Sequence, residues 1–286
     1  MNSIRIVTDS TADIPLEVRQ ALNIEMVPLK ISFGDEQYLD AVSLQSDQFY
    51  DKLKASSHFP RTSQPSTDEF LSVYKRLALE PGTQVLSIHL SSALSGTFQS
   101  ASIASMMLEE ETGVKVHVLD SRSASYGIGA LVVYAAEAAR DGQSVEQIIE
   151  RIQLMRENFY IYFLVDTLEF LQKGGRIGKA SALFGSLLNI KPILSIDSEG
   201  EVTAVDKVRG SKKAIARIME LLDADLSGRS IRKLYIAHAN NGEGAELLRE
   251  AIAERFGEMQ VEYVILGPVI GAHAGPGTIA AFVSAV

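Results

Sequence analysis

The sequence predicts an α/β protein with two domains. An N-terminal, mainly parallel, three-layer sheet domain spans 1–158, and a C-terminal mixed α/β domain spans 159–286. Three observations lead there. Short apolar runs alternate with helical patterns throughout the first half, as a parallel sheet covered by helices requires. The run 190–196, the turn Ser198-Glu199-Gly200-Glu201 and the run 201–208 read as a hairpin, which brings antiparallel pairing into the second half. The length of 286 residues suits one large or two medium domains.

The elements follow in order. Residues 4–8 form a strand that ends in the polar turn Asp9-Ser10-Thr11-Ala12-Asp13, and Pro15 opens a helix reaching Leu22. A strand ending this way faces a ligand crevice in many α/β folds; Asp13 reads equally well as a helix cap. Residues 24–33 are β-like and 46–54 helical. The loop 56–66 is rich in hydroxyls and prolines, and Ser66 with Glu69 has capping-box spacing for a helix to about Leu79. Within that loop Thr62 and Ser63 are neutral donors suited to a carboxylate. A strand at 85–89 leads to a hydroxyl-rich turn and a helix from Thr97, where Phe98, Ala101, Ala104 and Leu108 share one face.

That turn, Leu90 to Gly96, sits where the first N–H groups of a helix lack partners and its dipole is positive. Ser95, Gly96 and Thr97 there can hold a carboxylate or phosphate. The same residues also fit an ordinary strand-to-helix turn with Ser95 as N-cap.

Next come a strand at 114–119, the turn Asp120-Ser121-Arg122-Ser123, a helix at 126–139 stopped by Asp141-Gly142, and a helix at 144–158. A strand at 159–165 precedes a short helix at 167–173, ended by Gly174-Gly175, with Arg176 on the turn beyond. The apolar segment 181–188 reads as helical. A helix opens at Gly210-Ser211-Lys212-Lys213, which lacks the spacing of a nucleotide phosphate loop; strand, helix and strand follow at 234–237, 243–256 and 260–266. The chain then runs through Gly267 to Thr278, a shaped loop whose small residues leave His273 reachable and able to titrate near neutrality.

Composition sets limits. The hydrophobic share of 46% and charged share of 22% suit a globular protein. A net charge of −9 argues against a nucleic-acid partner, and zero cysteines exclude disulfides, thiolate catalysis and cysteine-bound metal. With no signal peptide and no long apolar run, a cytoplasmic location is expected. No metal site is expected.

Five stretches together resemble the DegV family, the fatty-acid-binding subunit of bacterial fatty acid kinase: Thr8 to Asp13, Arg61 to Ser66, Leu94 to Ala101, Leu168 to Arg176, and Gly267 to Gly277. They occur in the family's order. The resemblance implies a lipid-binding protein that is not itself an enzyme, with no cofactor, a C14–C18 fatty acid as ligand, and ATP chemistry on a separate kinase subunit making an acyl phosphate for phospholipid synthesis. A transient contact with a membrane surface is also implied. It places the carboxylate at Thr62, Ser63, Ser95, Gly96 and Thr97, with His273 and Arg176 beside it. The acyl chain would lie in the second domain among Phe163, Leu183, Phe184, Leu187, Ile190 and Leu194, residues chosen by apolar character. Where the family often has a hydroxyl residue next to its loop histidine, this chain has Ala272 and Ala274. Burying a sixteen-carbon tail is worth on the order of 10 kcal/mol before association costs. Two alternatives use the same residues: a serine hydrolase with Ser95 as nucleophile, His273 as base and Asp9 or Asp166 as orienter, acting on a lipid or ester, and a small-anion or phosphosugar binder without an apolar tunnel.

Overall fold

A strand buried on both faces must send alternate side chains into two different cores, and the first strand does so: Ile6 joins one apolar cluster and Val7 another. The computed structural model describes residues 4–79, 82–185 and 190–285, to which all structural statements refer. In chain order the elements are β1 (Ile4–Asp9), α1 (Leu16–Ala21), β2 (Glu25–Val27), β3 (Lys30–Phe33), β4 (Glu36–Leu39), α2 (Ser46–Ala55), β5 (Arg61–Ser63), α3 (Thr67–Ala78), β6 (Gln84–His89), α4 (Thr97–Thr112), β7 (Val116–Asp120), α5 (Tyr126–Arg140) and α6 (Val145–Glu157). The second half continues with β8 (Phe159–Leu164), α7 (Glu169–Lys173), β9 (Ile190–Ile196), β10 (Val202–Arg209), α8 (Ser211–Leu226), β11 (Ile231–His238), α9 (Gly242–Phe256), β12 (Val261–Ile265), α10 (Pro268–Ala274) and β13 (Ile279–Ala285).

The first sheet is parallel throughout, in the order β2-β1-β6-β7. On one face Phe70 and Tyr74 of α3 and Ala104 and Leu108 of α4 pack on Val7, Val85 and Val116. On the other, Ile128 and Leu131 of α5 and Ile148 of α6 pack with Ile6, Leu86 and Ile88. These are the three layers expected. The chain starts at β1, runs outward to β2 and returns on the far side as β6, so a crevice opens at the carboxyl ends of β1 and β6.

Asp9 closes the floor of that crevice. It is fully buried; Oδ1 accepts the N–H of Thr11 at 3.0 Å and the Thr11 hydroxyl, while Oδ2 accepts the N–H of Leu90 and Nδ1–H of His89, both at 3.0 Å. With Nδ1 donating, His89 Nε2 accepts from Ser87 at 2.6 Å, and Ser87 from Tyr74 at 2.7 Å. Every member is buried and bonded, as a polar chain in a core must be.

The second sheet runs β10-β9-β8-β13-β11-β12, antiparallel except for β11 with β12. Tyr162, Leu164, Ile236 and Val283 face α8 and α9, which supply Ile218, Leu222, Leu248 and Ile252. The intervening residues Ile161, Tyr235, Ala280 and Phe282 share a cluster with Ile6, Leu86 and Ile128, so the inner face of this sheet abuts the first half. A small antiparallel sheet, β4-β3-β5, completes the fold.

Several expectations change. The β-like stretch 24–33 splits around Pro28 into β2 and β3, which belong to different sheets. The helix expected at 181–188 is a 3-10 turn over Gly178–Leu183, with 186–189 outside the described residues. The supposed loop around His273 contains α10, started by Pro268 at its first position. Asp13 does not cap α1, whose N-cap is Pro15; it stands at φ 52° and bonds elsewhere. Among the described residues no helix is long and apolar enough to cross a membrane, and no cluster of ligating side chains suits a metal ion.

The packing of α5 on the turn after β1 is tight. A Cβ at Gly129 would lie 2.6 Å from the Ala12 carbonyl oxygen and 2.8 Å from the Tyr126 ring. Alanine normally improves a helix interior by about 0.5–1 kcal/mol over glycine. Here Gly129→Ala should instead lose about 1–3 kcal/mol through overpacking, read as a lower urea midpoint.

Candidate functional site

A cavity lies between the carboxyl ends of the parallel strands and the inner face of the second sheet. Leu29, Leu90 and Leu94 line it from the first half, and Ile161, Phe163, Ile196, Phe282, Val269 and Ile270 from the second. Its polar lining comes chiefly from Thr62, Ser63, Gln64, Ser95, Ser125, Arg176 and His273. Most of the wall is therefore hydrocarbon, which argues against a sugar site.

The polar residues meet through contacts that no local pattern specifies. Thr62, on β5, and His273, on α10, are 211 residues apart, yet Oγ1 and Nε2 lie 2.7 Å apart. His273 Nδ1 is buried without a partner, and Gly174 backs the ring so closely that a Cβ there would lie 2.2 Å from Nδ1. An unmet lone pair costs less than an unmet N–H, so the proton belongs on Nε2 and His273 donates to Thr62. The Thr62 hydroxyl is then left with its own proton to donate. Burial, aided by the Arg176 guanidinium, pushes the His273 pKa down to about 4, so the ring is neutral at physiological pH. This corrects the expectation of a group titrating near neutrality.

Ser95 lies half-buried on the Leu90 turn. Its Oγ accepts the Thr97 N–H at 3.3 Å and lies 2.9 Å from the Thr97 hydroxyl. If Thr97 donates, the Ser95 proton remains free for a ligand. Arg176 donates from Nε to the Leu94 carbonyl at 2.9 Å and from its terminal nitrogen to the Gly174 carbonyl at 2.6 Å, tying this turn to the loop behind His273.

Thr62, Ser63, Ser95, His273 and Arg176 thus come together on the lining. Gly96 and Thr97 do not: Thr97 is buried and turned onto Ser95, and a Cβ at Gly96 would lie 2.5 Å from the Gln64 amide that covers it. The N-cap of α4 is Gly96, not Ser95, and it has no side-chain cap; among the helix amides Ser95 Oγ takes only the Thr97 N–H, and neither Gly96 nor Thr97 lies on the lining. Of the apolar candidates, Phe163 lines the cavity. Leu194 pairs directly with Phe163 but is fully buried behind it with Leu171 and Val202, and Ile196, two residues on, takes the lining position. Ile190, Leu183 and Phe184 are off the lining, Phe184 half exposed, and Leu187 lies outside the described residues. Sequence reasoning missed Gln64, Ser125, Ile161 and Phe282; alternation with Phe163 on β8 was the signal that could have found Ile161.

A hydrolytic triad is not assembled. Ser95 bonds Thr97, His273 bonds Thr62, Asp9 bonds His89, and Asp166 is exposed and paired with Lys191 at 3.0 Å.

Fold and cavity define an α/β protein with a largely apolar chamber between its two larger sheets, ending in neutral donors. The chain belongs to the DegV family: the family model, described as an uncharacterised protein family, matches residues 3–286. Protein DegV of Bacillus subtilis is 38% identical over 278 residues, covering 97% of each chain, and a DegV domain-containing protein of Listeria innocua is 38% identical over 276 residues, 96% of each. Among solved structures, a DegV family protein from Thermus thermophilus described for its fatty acid binding superimposes with a TM-score of 0.91 at 38% identity, covering 99% of this chain and 100% of that one. DegV of Bacillus subtilis, described as a fatty acid binding protein, gives 0.89 at 37% identity over the whole of both chains. A family member from Eubacterium eligens loaded with heptadecanoic acid gives 0.85 at 26% identity, covering 99% of each.

The neutral ring is checkable. In the ligand-free protein the His273 imidazole NMR signals should show no protonation step at the usual value near 6.5, with protonation only toward pH 4. Because the folded pKa lies below the unfolded one, this group's contribution to stability is present above pH 6.5 and is lost as pH falls through about 4.

Proposed function

We propose that this chain buries a long-chain fatty acid, holds its carboxylate with Thr62 and Ser95 while His273 orients the Thr62 hydroxyl, and presents it to a separate ATP-binding kinase for acyl-phosphate formation. The observation that carries this reading is the Thr62–His273 bond at the polar end of a mostly hydrocarbon chamber. Neutral donors hold a carboxylate without neutralising it, which leaves an oxygen free to attack a phosphoryl group. Family neighbours loaded with heptadecanoic acid and described as binding stearic acid support the ligand class.

Ile161 and Ile196 also line a neighbouring hollow, but its wall is mixed, with Arg122, Gln153, Arg156, Glu157 and Asp197 beside Leu131 and Phe159, so the apolar wall of the chamber itself is the place for the acyl tail. Arg176, beside the donors and acting on His273, is placed to meet the charge that builds up when phosphate arrives.

Calorimetry with palmitate tests the head-group assignment. Thr62→Ala and Ser95→Ala should each weaken binding by about 1–3 kcal/mol, since a carboxylate oxygen loses a donor. Unchanged affinity in both variants would remove these residues from the site. In a reconstituted phosphorylation assay, Arg176→Ala should lower the rate more than it lowers affinity, and equal losses would make Arg176 structural only.

A further inference from the structure

The hydroxyls of Thr62 and Ser95 come from different elements, β5 and the turn before α4, and Gln64 reaches from one to the other. Gln64 lines the chamber and is also exposed, which places it at the mouth. Its backbone is fixed on both flanks. On one side β5 pairs with β3, Thr62 opposite Ile31. On the other, buried Pro65 restricts the residue before it to extended conformations, and Ser66 opens α3 with a capping box. An extended chain sends Thr62 and Gln64, two residues apart, to the same side. The Gln64 side chain then lies across the first turn of α4, where Nε2 donates to the Ser100 hydroxyl at 3.4 Å.

Gly96 is what lets the amide lie there. A Cβ at Gly96 would come within 2.5 Å of Nε2 and 2.6 Å of Oε1 of Gln64. The backbone itself does not ask for glycine: φ −73° and ψ 9° are angles that most residues adopt in a type I turn. The amide that fills the place of a side chain explains its absence. From the other side the same turn is held by Arg176, whose Nε donates to the Leu94 carbonyl at 2.9 Å. Ser95 thus sits between two holds, one from β5 through Gln64 and one from the second half through Arg176.

We propose that Gln64 is a positioning residue of the head-group site: its amide, seated in the place of a Gly96 side chain, holds the Ser95 turn against β5 so that the Thr62 and Ser95 hydroxyls reach one carboxylate together, and so gives the chamber a preference for an acid over an uncharged head group. The inference rests on the fatty-acid reading for its ligand. A carboxylate has two oxygens, takes a hydrogen bond from each hydroxyl and gains from their spacing. Its bonds are also charge-assisted and stronger than neutral ones. An alcohol of equal chain length has one oxygen, which either hydroxyl satisfies. Moving the turn away from β5 therefore costs the acid a strong bond and the alcohol little, while the apolar wall that holds both tails is untouched.

The test offers the purified, delipidated protein an excess of palmitate and hexadecanol in equal amounts and reads the ratio bound after extraction. Wild type should favour palmitate by about tenfold or more. Gly96→Ala, whose methyl pushes the amide out toward solvent, and Gln64→Ala should each lower the ratio about tenfold, the loss of one bond to a charged acceptor, with hexadecanol uptake held within about twofold. The double variant Gln64→Ala/Gly96→Ala should fall no further than Gln64→Ala alone, because no amide remains to displace. Gln64→Met, which refills the place without an amide, should bring the ratio back to within about threefold of wild type. General damage to the fold would lower both ligands together and leave the ratio unmoved. Unchanged ratios in both single variants, no preference in wild type, or additive losses in the double variant would overturn the proposal. So would a Gln64→Met as poor as Gln64→Ala, the mark of an amide that bonds the ligand itself. If wild type takes up neither compound, the fatty-acid reading fails, and NMR of the ligand-free protein decides the positioning. The Ser95 and Thr97 amide signals should then shift in Gln64→Ala and return in Gln64→Met, and signals unmoved in Gln64→Ala would overturn it.

Discussion

The buried carboxylate of Asp9 is the constraint on which the first half depends. A parallel sheet opens a crevice only where neighbouring strands send their connections in opposite directions, and β1 and β6 meet that condition. The crevice needs a firm floor, because both strand ends leave backbone N–H groups there. Asp9 satisfies those of Thr11 and Leu90 at once and is itself steadied by the chain through His89 and Ser87 to Tyr74 on α3. The Leu90 turn that carries Ser95 thus leaves the sheet in one direction, backed by a network with no unpaired member.

The donors above that floor, Thr62 and Ser95, are neutral. A protein with a net charge of −9 that takes up an anion gains nothing from its overall field, so recognition falls to short-range donors. A mostly hydrocarbon wall strengthens each such donor by lowering the local dielectric. Burial likewise keeps His273 uncharged, which suits a group that passes a hydrogen bond to Thr62. Arg176 is the cation on the lining, and its links to the Leu94 and Gly174 carbonyls hold it at the edge of the donor group.

Much of the first half is legible in the sequence because its helices carry their own punctuation. Ser66 with Glu69 and Ser144 with Gln147 form capping boxes, and α5 gives way to the turn Asp141-Gly142. The elements that escape are those whose order comes from tertiary contact. α10 is a run of small residues with a central glycine, and it is helical because Pro268 starts it, Asp13 takes its first free N–H and Tyr50 packs where Gly271 has no side chain. β5 is three residues long and exists by pairing with β3. In the site, the hydroxyls and the histidine show themselves by residue type, but the Thr62–His273 pairing is a product of the fold. The acyl wall fails for a different reason: choosing Leu194 over Ile196 by apolar character ignores which residue of one strand face reaches the chamber and which is covered by Leu171 and Val202.

The central claim is that the chamber between the two sheets is a fatty-acid site. Native mass spectrometry of the purified protein, followed by organic extraction and identification of what is released, addresses it most directly. The account predicts one C14–C18 fatty acid per chain, either carried through purification or taken up from added palmitate. A protein that emerges empty and stays empty with palmitate present would contradict it.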